Sequence, residues 1–207
     1  MNKRALLVFA KAPIAGHAKT RLIPKLGSTG AANLHQNLVR HTLDNLVNPN
    51  YWDTLLWCAE DMEHDFFQQC SADYNLELFS QWGGDLGQRM YHAAKFCLKK
   101  YDSICIVGTD CPMLNSDNIS QAFDALDYVD IGFNPAEDGG YVLISTNVIE
   151  RKIFEGIDWG TSHVMAQSLE KAKQLNLETK RLDTLWDVDN PADLERPEMQ
   201  VFLKSLS

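Results

Sequence analysis

The residues best suited to chemistry are acids and cations placed just after apolar runs. In Ile104-Cys105-Ile106-Val107-Gly108-Thr109-Asp110-Cys111-Pro112, a carboxylate stands directly off what reads as a buried strand. An aspartate in that place is suited to holding a hard cation beside a diphosphate. The other reading of Asp110 is a cap for the turn before Pro112. Cys111 has no histidine base near it in sequence and reads as a small turn residue, not a nucleophile.

A second constellation, Phe9 to Arg21, is a strand end followed by a loop of small residues, among them Ala12, Pro13 and Gly16, that carries Lys11, Lys19 and Arg21. Such a loop suits phosphate; the alternative is a set of solvated charges. Lys19-Thr20 invites comparison with a P-loop, but Pro13 and Ala18 stand where that motif needs glycine. A Walker A loop is therefore excluded.

Two further acidic segments follow. In Asn134-Pro135-Ala136-Glu137-Asp138-Gly139-Gly140-Tyr141, the acids precede a glycine pair that lets backbone approach a ligand, although the same residues also spell a hairpin turn. In Trp186-Asp187-Val188-Asp189-Asn190-Pro191-Ala192-Asp193-Leu194, a paired acid ends an extended stretch, and Asp189 is either one of the two separated acid sites that a metal-dependent attack on a nucleoside phosphate needs or, like Asn190, a cap for a short helix. A glycine-rich turn, Gln81 to Met90, feeds a helix whose N-terminus and Arg89 can face a nucleotide, with Asp85 as helix cap the plainer reading. His35, His41, His64, His92 and His163 fall on helical segments without metal-ligand spacing and read as solvated or core-edge.

The elements that must position these groups alternate. Ala5 to Ala10, Leu55 to Ala59, Ile104 to Val107 and Tyr141 to Ile144 are continuous apolar runs, as in strands covered on both faces. Between them lie helical patterns after Ser28-Thr29, through Met90 to Leu98, from Ser116 and from Ser162, the serines being plausible N-caps. Met199, Phe202, Leu203 and Leu206 mark a last amphipathic helix over Pro197 to Ser207, free to dock on its own core or on a partner chain. No repeat or linker interrupts the 207 residues, so one domain over residues 1–207 is expected. Alternation of this kind implies a mostly parallel sheet flanked by helices, with ligands bound beyond the carboxyl ends of the strands.

Composition bounds the partners. Lys plus Arg number 19 against 28 Asp plus Glu, a formal charge of −9, which argues against nucleic acid and membrane surfaces. The 5 cysteines form no Cys-x-x-Cys pair and fit a reduced, cytoplasmic setting. Met1-Asn2-Lys3-Arg4 has the charge of a signal n-region, but the apolar run after it stops at Lys11, too short to span a membrane.

The ordered set FAKAPIAGHAKTRL, QWGGDLGQRM, IVGTDCP, PAEDGGY, the Gly156-Ile157-Asp158-Trp159 segment and DVDNPADL resembles a bacterial family, the glycosyltransferase-A-like, selenodomain-associated transferases. That family is related to nucleotidyltransferases such as the phospholactate and molybdenum-cofactor guanylyltransferases, and the resemblance spans roughly residues 4 to 196. It implies a single-domain α/β, Rossmann-like nucleotide-diphospho-sugar transferase fold. It also implies that Lys11, Ala12, Pro13, Gly16, Lys19 and Arg21 lie over the phosphates, and that Gly84 and Arg89 look toward the nucleoside. Asp110 and Asp189 would hold Mg²⁺ or Mn²⁺. Glu137, Asp138, Gly139, Gly140 and Tyr141 would face a small acceptor, with Lys19, Asp110 and Asp138 catalytic. The chain departs from the Gly-x-Gly-x-Arg opening of the well-studied nucleotidyltransferases, so the base is left open. Metal-dependent nucleotidyl or glycosyl transfer is the expected function, with a noncatalytic nucleotide-binding or regulatory module as the alternative; a homodimer is compatible with either.

Overall fold

The computed structural model describes residues 3–205; Met1 and Asn2 of the basic N-terminal stretch, and Leu206 of the expected last helix, lie outside them. Strands β1 (Arg4–Lys11), β2 (Asp53–Ala59), β3 (Glu77–Ser80), β4 (Ser103–Val107), β5 (Ile131–Pro135), β6 (Tyr141–Thr146) and β7 (Thr179–Arg181) form one sheet in the order β3-β2-β1-β4-β6-β5-β7. β6 alone runs against its neighbours β4 and β5, and the remaining pairings are parallel. The expectation of a mostly parallel sheet flanked by helices holds, with β5 and β6 as its antiparallel hairpin.

The apolar runs are continuous because both faces of the sheet are covered. Along β1, Leu6, Val8 and Ala10 pack with Val39 and Leu43 of α1 (Ile23–Leu46), Phe66 and Phe67 of α2 (Asp65–Tyr74) and Ile119 and Phe123 of α4 (Ser116–Ala125). Their neighbours Ala5, Leu7 and Phe9 point the other way, toward Met90, Ala93 and Cys97 of α3 (Leu86–Cys97) and Met165 and Ala172 of α5 (Val164–Gln174). This is the period-2 alternation of a strand, each side matched to a helical stripe.

Helix starts differ by a residue or so from the serine caps read in the sequence. Asn115, not Ser116, closes a capping box on α4, and His163 precedes α5. α1 begins at Ile23 and breaks at Gly27, whose φ of 70° and ψ of 167° are not helical. α6 (Pro197–Ser205) docks on the chain's own core, where Met199 and Phe202 are buried with Leu22, Leu34, Leu38, Trp186 and Val188. It thereby clamps the segment that bears Asp187 and Asp189 to the start of α1. Among the described residues, no helix is long and apolar enough to cross a membrane.

Candidate functional site

The carboxyl ends of β1, β4 and β5 face the same edge, so the loops after them meet there. β1 delivers Lys19 through a turn in which Gly16 has φ 86° and Lys19 itself is left-handed, φ 48° and ψ 46°. A non-glycine residue in that region carries a backbone cost of about 1 kcal/mol, which is tolerated where the surroundings hold it. Here they do: Lys19 Nζ lies 2.8 Å from Asp110 Oδ1 and 3.5 Å from Asp189 Oδ1, and donates to the Val188 carbonyl. The lysine side chain is only 5% exposed, whereas that of Asp110 is 42% exposed, although its Oδ1 is itself buried. The Val188 amide donates to the Asp110 carbonyl at 2.9 Å, tying the 187–189 stretch to the end of β4.

The competing cap readings are settled by these contacts. The Asp110 carboxylate faces Lys19 and caps no turn. In the 186–194 segment, Asn190 Oδ1 accepts from the Ala192 amide, and Asp193 Oδ2 accepts from the amides of Asp189 and Asn190 at 2.9 and 2.8 Å. The short helix that follows has Ala192 as its N-cap with no side-chain hydrogen bond, so Asn190 and Asp193 close the turn before it and the Asp189 carboxylate faces Lys19 and, at 3.4 Å, Arg21.

Charge is crowded here. Burial, then the charges of Asp110, Asp189 and Asp138, push the Asp187 carboxyl up to about 7 against the pull of Lys19. For Asp110, burial raises the carboxyl, but the Lys19 charge and His35 outweigh it and hold the group below its ordinary value. His35 is not solvated or core-edge as its sequence context suggests: it is buried, its Nδ1 3.9 Å from Asp110 Oδ1 and its Nε2 hydrogen-bonded to the Lys11 carbonyl at 2.9 Å. Burial lowers its imidazole below the ordinary value, against the Asp110 charge. A histidine in the middle of an amphipathic helix has no local mark of such a place, so only the fold identifies it.

The remaining residues divide. Lys11 turns to Glu60 at 2.9 Å and to the His17 carbonyl, away from Lys19. Ala12 is fully buried and packs in the core, Pro13 is half-buried, and Gly16 is exposed at the turn. Glu137 to Tyr141 are the hairpin between β5 and β6: Gly140 N–H donates to Asp138 Oδ1 at 2.9 Å, and Gly139 adopts φ 91° against Ser162. Arg196 holds Glu137 at 2.6 Å and lies 4.5 Å over the Trp186 ring. Glu137 and Asp138 share a cleft of about 220 Å³ with Asp187, Asp189 and Asp193. Tyr141 instead packs inward beside Phe133 and Trp159.

The Gln81 to Met90 turn is a helix cap. Asp85 accepts from the Gln88 amide at 2.7 Å, Gly84 N–H donates to the Gln88 side chain, and Arg89 Nε donates to the Gly83 carbonyl. Gln81, absent from the sequence-based site, anchors this turn to β1 and β2 by donating to the Ala10 and Trp57 carbonyls. Gly87 permits close approach of Phe154 and Trp159, which brings the QWGGDLGQRM and Gly156–Trp159 segments together.

Among the described residues, no three His, Cys, Asp or Glu side chains converge as a ready metal site. Asp110 and Asp189 nevertheless converge on the Lys19 ammonium, both with oxygen donors, and Asp110 Oδ1 is buried without a hydrogen bond. Two carboxylates of this kind fit a hard divalent ion that completes its shell with phosphate oxygens and water.

The model of a family described as "Uncharacterized protein conserved in bacteria (DUF2064)" matches residues 42–161. That span contains Asp110, the β5–β6 hairpin and the Gly84–Arg89 turn, but neither the β1 loop nor Asp189. No curated protein matches the chain. A Desulfovibrio desulfuricans G20 structure provisionally described as a nucleotide-diphospho-sugar transferase is 27% identical, with a TM-score of 0.85 over 99% of this chain and 95% of that one. The 4-diphosphocytidyl-2C-methyl-D-erythritol synthase of Anaerococcus prevotii DSM 20548 has a TM-score of 0.63 at 10% identity, covering 98% and 99% of the two chains. A cytidylyltransferase from Leptospira borgpetersenii has a TM-score of 0.60 at 15% identity, covering 100% and 94%. At these last identities the likeness is one of fold, and the fold is that of the nucleotide-diphospho-sugar transferases.

Proposed function

The chain belongs to the bacterial family DUF2064, and we propose that it is a metal-dependent transferase acting on a nucleotide or nucleotide-sugar, one domain over residues 1–207. The observation that carries this reading is the convergence of Lys19 with Asp110 and Asp189 at the carboxyl edge of the sheet. A cation between two carboxylates, at the place where open α/β sheets take ligands, is suited to the charge that moves when a phosphate ester is cleaved.

In the nucleotidyl version, an acceptor phosphate oxygen attacks the α-phosphorus, the bond from that phosphorus to the bridging oxygen breaks, and pyrophosphate leaves. Lys19 and Arg21 bind and neutralise the phosphates beside the Ala12–Gly16 loop, where the Ala12 and Ile14 amides are already given to the Ala59 and Ala12 carbonyls. Mg²⁺ or Mn²⁺, held by Asp110 and Asp189, would supply further compensation of phosphate charge. His35 fixes the Lys11 carbonyl and backs Asp110, while Asp193 sets the turn that presents Asp189. Gly84 and Arg89 border the nucleoside.

In the glycosyl version, an acceptor hydroxyl attacks the sugar carbon, the nucleoside diphosphate leaves, and the proton passes to a carboxylate. The Arg196 hydrogen bond holds the Glu137 carboxyl below its ordinary value, which makes it a poor base and favours Asp138. The cleft of Glu137, Asp138 and the glycine pair takes the small acceptor, with Tyr141 bracing the hairpin from the core.

The free cysteines, all buried, support a reduced cytoplasmic setting. The test is thermal shift against GTP, CTP, UTP, ATP and common nucleotide-sugars with and without Mg²⁺ or Mn²⁺, followed by product analysis. A selective, metal-dependent rise with turnover is expected. A rise without product identifies a binding module with the same fold, and no rise with any nucleotide removes the reading.

A further inference from the structure

We propose that the Lys19 ammonium is the resident counter-cation at the position a divalent ion takes between Asp110 and Asp189, so that the ion enters only as Lys19 gives up its hold on them. This rests on the metal assignment above and adds an order to it. Lys19 Nζ is surrounded by Asp110 Oδ1 at 2.8 Å, Asp189 Oδ1 at 3.5 Å and the Val188 carbonyl. An ammonium has three N–H donors, and three oxygens face this one. Both carboxylates are therefore compensated by the chain itself before any metal arrives.

The ammonium is an imperfect occupant. Asp110 Oδ1 is buried, and its contact with Nζ is an ion pair without hydrogen-bond geometry. His35 Nδ1 is also buried without a partner, 3.9 Å from that oxygen, in a side chain only 6% exposed. The Lys11 carbonyl can only accept, so His35 Nε2 donates to it, and the Nδ1 edge that faces Asp110 makes no hydrogen bond. The buried Asp110 Oδ1 thus has no hydrogen-bond donor from either neighbour, and such groups are costly when unsatisfied. A doubly charged cation satisfies that oxygen more completely than one ammonium whose hydrogen bonds go to the Val188 carbonyl and Asp189.

Lysine is also suited to leaving. Its charge rides on a flexible unbranched stem, and the phosphates of a nucleotide offer it charged acceptors in exchange for the two carboxylates. The consequence is that metal and nucleotide enter together, each completing what the other displaces. Metal alone binds weakly because it must first evict a buried lysine.

The experiment is Mn²⁺ titration without nucleotide, read by the electron paramagnetic resonance of free Mn²⁺, on the wild type, Lys19→Met and Arg21→Met. Arg21 is the control for charge alone: it lies 3.4 Å from Asp189 Oδ2, yet its side chain is 68% exposed and it does not stand between the acids. Lys19→Met is expected to bind Mn²⁺ at least about tenfold more tightly than either other protein, since the screened surface charge of Arg21 contributes little. Equal affinity of Lys19→Met and wild type overturns the inference, as does an equal gain in Arg21→Met. Lys19→Gln, which keeps a donor for Val188, carries the same test if the Met variant fails to fold. Failure of all three to bind Mn²⁺ overturns the inference together with the metal assignment, while nucleotide-induced melting shifts of the wild type still decide the transferase reading.

Discussion

Lys19 and Asp110, contributed by the loops after two adjacent parallel strands, form an ion pair of 2.8 Å in which the lysine side chain is almost wholly buried. A buried pair of this kind is weak as a source of stability, since desolvation offsets much of the attraction. Its position at the carboxyl edge of the sheet, where open α/β sheets take ligands, is what the proposed function draws on. In that proposal the pair holds opposite charges ready, one for phosphate and one for a cation.

Asp110→Asn and Asp189→Asn are expected to abolish the metal-dependent part of any nucleotide-induced melting shift and to lower turnover on the order of 10²-fold or more. Asp110→Asn should also cost about 1–2 kcal/mol of stability, because it leaves the Lys19 charge short of a partner. Turnover assays and denaturant unfolding of the purified proteins check both. Full activity in the two variants would remove Asp110 and Asp189 from the mechanism.

Asp187 predicts a pH dependence. Its folded-state value of about 7 lies above the ordinary 3.8, so between those values the folded protein keeps a proton that the unfolded chain has lost. Its contribution is therefore intact below about pH 4 and lost as pH rises toward 7. Asp187→Asn should stabilise the metal-free protein at about pH 8, by on the order of 4 kcal/mol before screening, with the gain vanishing toward about pH 4. Urea unfolding of both proteins across that range is the measurement. A gain that grows toward acid pH contradicts the assignment.

Two glycines of one motif should behave oppositely. A Cβ at Gly87 would lie 2.5 Å from the Phe154 carbonyl oxygen and 2.7 Å from Trp159 Nε1, so Gly87→Ala must push α3 away from the 154–159 segment. A loss of roughly 1–3 kcal/mol, seen as a lower melting temperature, is expected. At Gly84 the same Cβ meets only the movable end of Gln88 at 3.6 Å, so Gly84→Ala should fold normally. Weakened nucleotide binding by a normally melting Gly84→Ala protein would then report contact with the nucleoside.

The cysteines should be silent in the native protein. Burial pushes the thiols of Cys58, Cys97 and Cys111 up to about 12 and that of Cys70 to about 11, and raises that of Cys105 well above its ordinary value. Thiolate is the reactive form. A chromogenic disulfide reagent at about pH 8 should find almost no thiol in the folded protein and all 5 after denaturation. Rapid native labelling would show that a cysteine, Cys111 beside Asp110 first among them, is more open than its packing implies.

Much of this was written in the chain. Strands β1, β2, β4 and β6 are legible because burial on both faces requires unbroken apolar runs, and the carboxyl-edge position of Lys19, Asp110 and the Glu137–Tyr141 segment follows from strand–helix alternation. β3, β5 and β7 were not. Glu77–Ser80 and Thr179–Arg181 are short edge strands with exposed residues, and Ile131–Pro135 carries Gly132 and Pro135, which weaken strand propensity. Nor does local sequence announce that β6 runs backwards, since strand direction depends on which neighbours are paired.

The sequence by itself determined which residue types are present and which element ends carry them: acids after β4 and β7, cations after β1, a glycine pair in a hairpin. Only the tertiary structure decided which of them meet. It turned Lys11 to Glu60 and Lys19 to Asp110, although both lysines belong to one loop. It buried His35 against Asp110 and closed the turn of the 186–194 segment with Asn190 and Asp193, so that the Asp189 carboxylate faces Lys19 and Arg21. The physical reason is that residue type is a local property, whereas burial, charge pairing and the choice among hydrogen-bond partners depend on groups brought together from distant parts of the chain.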